Sequence, residues 1–270
     1  MSECFICKTC GVQFAATDAP PERCPICDDE RQYVGHNGQQ WTTLAEMRAG
    51  EYHNVIKPVA PGLTGIGTHP GFAIGQRALL VRTPTGNVLW DCISLLDDPT
   101  IAAVRALGGI SAIAISHPHF YSSVVEWSHT FDAPVYLPAA DRQWVMRPDA
   151  SIHFWDGDTL PLMDGVTVVR CGGHFDGSAA LHWAAGAEGR GALLTGDTLQ
   201  VVSDRRFVTF MYSYPNAIPL PAAAIRRIVG AVEPFAFDTL SGGWWDRIVA
   251  PDAKGAVARS AERYIAMIEG

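Results

Sequence analysis

No stretch of this chain approaches the run of about eighteen apolar residues that crosses a bilayer, so a membrane-spanning helix is excluded. Basic residues are also in the minority. Twenty Lys and Arg stand against 28 Asp and Glu, giving a formal net charge of −8 and a pI near 5.5. That balance argues against a surface built around phosphate backbones, and nucleic acid is set aside as a partner, although Arg205 and Arg206 together could hold a local anion. The opening residues, MSECFICKTC, lack a basic segment followed by an apolar one, which leads us to expect a cytoplasmic protein. What the composition does contain is apolar mass. With 270 residues, 48% hydrophobic and 18% charged, the chain can bury a sizeable core, and disorder is excluded.

Cysteine is sparse beyond the N-terminus. Cys92 and Cys171 lie alone in apolar runs and read as core residues, while Cys4, Cys7, Cys10, Cys24 and Cys27 crowd the first 27 positions in CxxC pairs. In CKTCGVQFAATDAPPERCPIC, Cys7 and Cys10 sit on one tight turn and Cys24 and Cys27 on another. Four thiolates on two such knuckles form a tetrahedral sulfur cage, and closing it replaces a core that so short a segment cannot build. Zinc is the first expectation for this structural four-cysteine site, and iron also suits an all-sulfur tetrahedron. Cys4 reads as a spare thiol. The segment resembles the rubredoxin-type tail of rubrerythrins and related zinc ribbons, which implies a small, separately folded metal module over residues 1–38.

Residues 39–59 read as a linker. Thr43-Leu-Ala-Glu46 forms a capping box for a short helix ending at Gly50, and VAPGLTGIGTHPGFAIG is rich enough in Gly and Pro to be an extended loop or edge. From Arg77, β-rich runs alternate with helical ones. ALLVRT and NVLWD flank a turn; Asp98-Pro99 starts a helix; SAIAIS is a buried strand; APVYL is a strand and DRQWVM a helix. TLPLMDGVTVVR turns on Asp164-Gly165, and AALHWAA and GALLTGDTL follow as strands. Two amphipathic helices close the chain. His117, His119, His174 and Asp197 all fall at strand ends, the arrangement of an α/β sandwich with a site along one edge.

A strand ending in HPH, then GGH after a hairpin, then TGD after another strand resembles the metallo-β-lactamase superfamily over residues 60–270. The hairpin ending in Trp90-Asp91 is similar to that family's early strand with its structural aspartate. The resemblance implies an αββα sandwich with metal ligands His117, His119, His174 and Asp197. It is broken where the family usually continues its first motif with an aspartate and a histidine, because Tyr121 and Ser122 stand there. LSGGWWD, near the C-terminal strand, likewise lacks the family's last histidine. One zinc or iron ion is therefore expected in the large domain.

Three imidazoles around zinc leave a position for water of lowered pKa, with Asp197 as fourth ligand or proton acceptor. Tyr121 is a candidate donor to a developing oxyanion. Tyr212, Tyr214, Asn216, Trp244 and Trp245 are candidates for a pocket wall. The leading expectation is a metallo-hydrolase acting on a small carbonyl compound: an ester, thioester, lactone or amide. Two alternatives stand beside it. One is a mononuclear iron oxygenase like the superfamily's persulfide dioxygenases, using His117, His174 and Asp197. The other is a non-catalytic scaffold whose ribbon binds a protein partner.

Overall fold

The computed structural model describes residues 2–270. Strands β1 (Phe5–Cys7) and β2 (Trp41–Thr43) pair antiparallel and close the N-terminal ribbon, and the helical turn α1 (Pro25–Asp28) carries Cys27 between them. Helix α2 (Leu44–Ala49) begins with the expected capping box: Thr43 Oγ1 accepts the Glu46 N–H, and the Glu46 carboxylate accepts the Thr43 N–H. The β1–β2 pairing carries the ribbon to Thr43, past the boundary expected at 38. Its core is also not self-contained. The four ribbon cysteines, Val12 and Ile26 share one apolar cluster with Leu80, Leu89, Ile113 and Trp127 of the large domain.

Seven strands follow in one sheet: β3 (His53–Ala60), β4 (Leu63–His69), β5 (Arg77–Thr83), β6 (Gly86–Trp90), β7 (Ala112–Ala114), β8 (Val135–Pro138) and β9 (Ile152–Trp155). The first four run antiparallel and the last three join in parallel. Parallel neighbours need crossovers, supplied here by α3 (Asp98–Ala106) and α4 (Val124–Phe131). Asp97, one residue earlier than expected, caps α3 by accepting the Thr100 N–H. Residues 139–144 form a 3₁₀-helix rather than the α-helix expected of DRQWVM. The second sheet contains β10 (Thr159–Met163), β11 (Val166–Arg170), β12 (Ala179–Trp183) and, after the turn α5 (Gly186–Gly189), β13 (Ala192–Leu194). Two hairpins come next, β14 (Gln200–Val201) with β15 (Val208–Thr209) and β16 (Met211–Ser213) with β17 (Ile218–Pro219). Helix α6 (Ala222–Val232), strands β18 (Thr239–Ser241) and β19 (Ile248–Val249) and helix α7 (Ala253–Glu269) complete the chain, with β18 lying parallel to β13.

Alternation along the strands sorts the layers. In β5, Leu79 and Val81 face the second sheet while Leu80 faces α3 and α4; in β13, Ala192 and Leu194 face the first sheet while Leu193 faces α6 and α7. Three apolar layers between helix, sheet, sheet and helix make the αββα sandwich. The Gly/Pro run read as an extended loop or edge holds the end of edge strand β3, the turn into β4, β4 itself and then a loop, and residues 53–59 belong to the sheet rather than to a linker. Its glycines have a tertiary reason. A β-carbon on Gly65 or Gly67 would lie 2.8 or 2.9 Å from the Trp245 indole, which covers both.

Candidate metal centres

In the ribbon, Cys7 and Cys27 sulfurs lie 3.5 Å apart and Cys10 and Cys24 sulfurs 3.8 Å apart. A tetrahedron with ~2.3 Å metal–sulfur bonds has edges of roughly 3.8 Å, so this spacing fits one ion held by all four. No disulfide joins them, and Cys4 stays outside the cluster. Hydrogen bonds from Cys10, Cys24 and Cys27 pull the Cys7 thiol down, whereas burial pushes Cys10 well up. Four buried thiols cannot all ionise without a cation among them.

Three loops build the second cluster. The chain leaves β7 and turns into a 3₁₀-helix (Pro118–Phe120), with His117 extended at its entry and His119 within it. His174 follows β11 on a turn in which Gly172 and Gly173 have φ of 67° and 94°. Asp197 follows β13 through Gly196, whose φ is 49° and whose β-carbon would stand 2.3 Å from Ser116 Oγ. The result is convergence. His119 Nδ1 lies 3.2 Å from His174 Nε2, and Asp197 Oδ2 lies 3.4 Å from His117 Nε2 and 3.6 Å from His174 Nε2. Bonds of ~2.0–2.1 Å in a tetrahedron give edges of roughly 3.3–3.4 Å, so these four donors also fit one ion.

Neighbouring groups set the ring orientations. The Tyr212 carbonyl accepts from His174 Nδ1 at 2.8 Å, which leaves the Nε2 lone pair for the centre. Ser116 Oγ meets His117 Nδ1 at 2.8 Å, and the Ser116 N–H donates to Asp91 at 2.7 Å. Burial lowers His174 to about 4 and holds His119 well below its ordinary value, so both are neutral at pH 7 and offer lone pairs rather than protons. Burial likewise pushes Asp91 up to about 6, against its bond from the Ser116 N–H. His117 Nε2 and Asp197 Oδ1 are buried without a hydrogen-bond partner, the signature expected where an ion belongs.

The chain is 51% identical over 262 residues to the uncharacterized protein YmaE of Bacillus subtilis (strain 168), a match covering 97% of this chain and 95% of YmaE. It belongs to the YmaE family. No family model matches it. Among solved structures it is similar to VMB-1 (TM-score 0.59, 12% identity, covering 81% of this chain and 100% of that one). It is similar also to the metallo-β-lactamase FIM-1 from Pseudomonas aeruginosa in its mono-zinc form (TM-score 0.57, 13% identity, 78% and 95%). A B3 metallo-β-lactamase with an active-site glutamic acid aligns over 94% of this chain and 97% of its own length (TM-score 0.52, 15% identity). At such identities the likeness establishes the metallo-β-lactamase fold.

Not every candidate of this YmaE-family chain gathers at the histidines. Tyr121 is buried, and its unpartnered hydroxyl has no hydrogen bond or ring contact to the histidines; the residue lines a small cavity against Val12 and Gln13 of the ribbon. Ser122 Oγ accepts from Gln76 and donates to the Cys92 carbonyl. Among the described residues, no group beyond the two clusters brings together three metal-ligating side chains. Tyr214 packs 5.9 Å from His174 and donates to the Asp197 carbonyl, so it does border the site. Trp244 packs on Phe120, Trp245 covers Gly65 and Gly67, and Asn216 binds the ribbon carbonyls of Glu30 and Gln32. Asp91, singled out from the sequence as a structural aspartate, accepts the Ser116 N–H, while sequence reasoning missed Ser116 as a support, Phe175 as a ring against all three histidines, and Arg31. No local pattern marks these residues; they matter through distant contacts.

Proposed function

We propose that the protein is a metal-dependent hydrolase with a single-metal site at His117, His119, His174 and Asp197, acting on a small ester, thioester, lactone or amide. The observation that carries this reading is the buried convergence of three imidazole nitrogens and one carboxylate oxygen at tetrahedral spacing. An ion held there polarises a carbonyl and lowers the pKa of water. That Asp197 Oδ1 is buried and unpartnered supports reading it as the group that would accept a proton from the attacking water. Tyr212 and Ser116 hold His174 and His117 in the required orientation, while Phe120 and Phe175 keep bulk water from the rings. His119 Nδ1 at 3.2 Å from His174 Nε2 favours a four-donor set over a triad that leaves His119 free.

The test is metal analysis by mass spectrometry on protein purified without added metal, followed by an ester, thioester, lactone and amide panel. We expect one ion in each cluster, loss of the second on His119→Ala, and turnover that rises with pH through one ionisation. No turnover by the zinc-loaded protein, together with oxygen consumption by the iron-loaded protein on a persulfide, would replace this reading with the oxygenase. Silence in both assays would favour the scaffold.

A further inference from the structure

The ribbon reaches the candidate active site through one residue. Asn216 Nδ2 donates to the carbonyls of Glu30 and Gln32 at 2.8 and 3.0 Å, and Ser213 Oγ donates to the carbonyl of Arg31 at 3.2 Å. These bonds clamp residues 30–32 onto the β16–β17 hairpin, whose Tyr212 carbonyl orients His174. The Arg31 side chain then lies among three aromatic rings, of which Phe175 borders the histidines. Its guanidinium carbon is 4.4 Å from the Phe175 centroid and 4.7 Å from that of Tyr212, with Trp144 at 5.9 Å. Phe175 in turn packs 5.0 Å from His119 and 5.1 Å from His174.

One corner of this guanidinium is paired within the protein, with Asp29. Nη1 donates to Asp29 Oδ1 at 3.0 Å, while Nε is buried without any acceptor and no hydrogen bond within the described residues uses Nη2. The Nε–Nη2 edge is the one that grips a carboxylate or phosphate through two parallel bonds. A buried guanidinium donor left unpaired is costly, and stacking on aromatic faces satisfies its charge but not its N–H groups.

We infer that Arg31, delivered by the ribbon, is a substrate-binding residue that recognises an anionic group, a carboxylate or phosphate, on the compound whose carbonyl is hydrolysed at the His117–His119–His174–Asp197 centre. This rests on the hydrolase reading for the chemistry, though not for the anion site. It gives the ribbon a role in selecting substrate: without it, the large domain contributes rings and ligands but no cation at this position.

The experiment uses the full-length, metal-loaded chain. Succinate and methyl phosphate are titrated separately while the ¹⁵N resonance of the Arg31 Nε–H is followed, its assignment made by loss of that signal in Arg31→Lys. A saturable shift with succinate marks a carboxylate site, and one with methyl phosphate a phosphate site. Arg31→Met should bind the effective anion about 10- to 100-fold more weakly, the range that charge-assisted pairs command. Hydrolysis of 4-nitrophenyl hemisuccinate and 4-nitrophenyl acetate is compared in parallel; Arg31→Met should lower the ratio of their kcat/KM values by a similar factor, with Arg31→Lys between. No shift with either anion in the wild-type protein would overturn the proposal, as would an unchanged ratio in Arg31→Met. A wild-type anion shift without ester turnover keeps the anion site and removes the hydrolase reading.

Discussion

Replacing Asp91 with Asn changes one charge and little else. Asp91 is fully buried at φ 63°, a conformation that Asn tolerates well, and the Asn carbonyl can still accept the Ser116 N–H. Burial raises the carboxyl from its ordinary 3.8 to about 6. A carboxyl whose folded pKa is raised stabilises the fold below its unfolded pKa, and that contribution is lost as pH rises through the folded pKa. Between about pH 4.5 and pH 8 the wild-type protein should therefore lose about 2 kcal/mol that the Asn variant does not lose. His174, lowered to about 4, acts in the opposite sense, and Asp141, raised to about 6 by burial, acts in the same sense as Asp91. Both cancel when variant and wild type are compared at each pH. Urea unfolding of the two chelator-treated proteins, side by side across this range, reads the difference. The variant should gain on the wild type as pH rises. Stability curves that run parallel would refute the assignment of Asp91 as a buried, titrating charge.

Three further outcomes follow from single contacts. Gly196→Ala would force a β-carbon to within 2.3 Å of Ser116 Oγ at φ 49°, so we expect a loss of about 2 kcal/mol or more in thermal unfolding and weaker metal retention at the histidines. Tyr121→Phe should alter kcat by less than about twofold, since nothing ties its hydroxyl to the cluster; a loss on the order of 10²-fold would instead establish the oxyanion role expected from sequence. Asn216→Ala removes two hydrogen bonds from the ribbon and should cost about 1–3 kcal/mol, with faster proteolysis of residues 29–40 as its readout; unchanged protection would mean that the apolar cluster alone secures the ribbon.

Metal-ligating residue types were legible because chemistry restricts them: few reasons other than an ion bring CxxC pairs, or HPH with GGH and TGD, to the ends of turns and strands. The α/β class followed from strands with interspersed helices and polar residues gathered at strand ends, and its αββα form from the resemblance carried by HPH, GGH and TGD. Arg31 was not legible. Its backbone contact with Ser213 spans 182 residues, and CDDERQ carries no pattern that distinguishes it from a solvated charge run. Gly65 and Gly67 misled for a related reason. Composition reports what the backbone can do locally, whereas these glycines are strand residues that make room for Trp245. The direction of Tyr121 was equally hidden, because it depends on the 3₁₀-helix that Tyr121 ends, a turn that the sequence pattern did not announce.

The β16–β17 hairpin stands between the two clusters: Asn216 and Ser213 hold the ribbon carbonyls of residues 30–32, a few positions after Cys27, and the Tyr212 carbonyl holds His174. Whatever free energy one ion contributes to ordering this hairpin is shared with the other. If filling the ribbon tightens metal binding at the histidines by some factor, filling the histidines must tighten the ribbon by the same factor, because affinities joined by one structural element are reciprocal. A coupling of that kind would make the two sites load cooperatively, so that stripping either ion would loosen its neighbour.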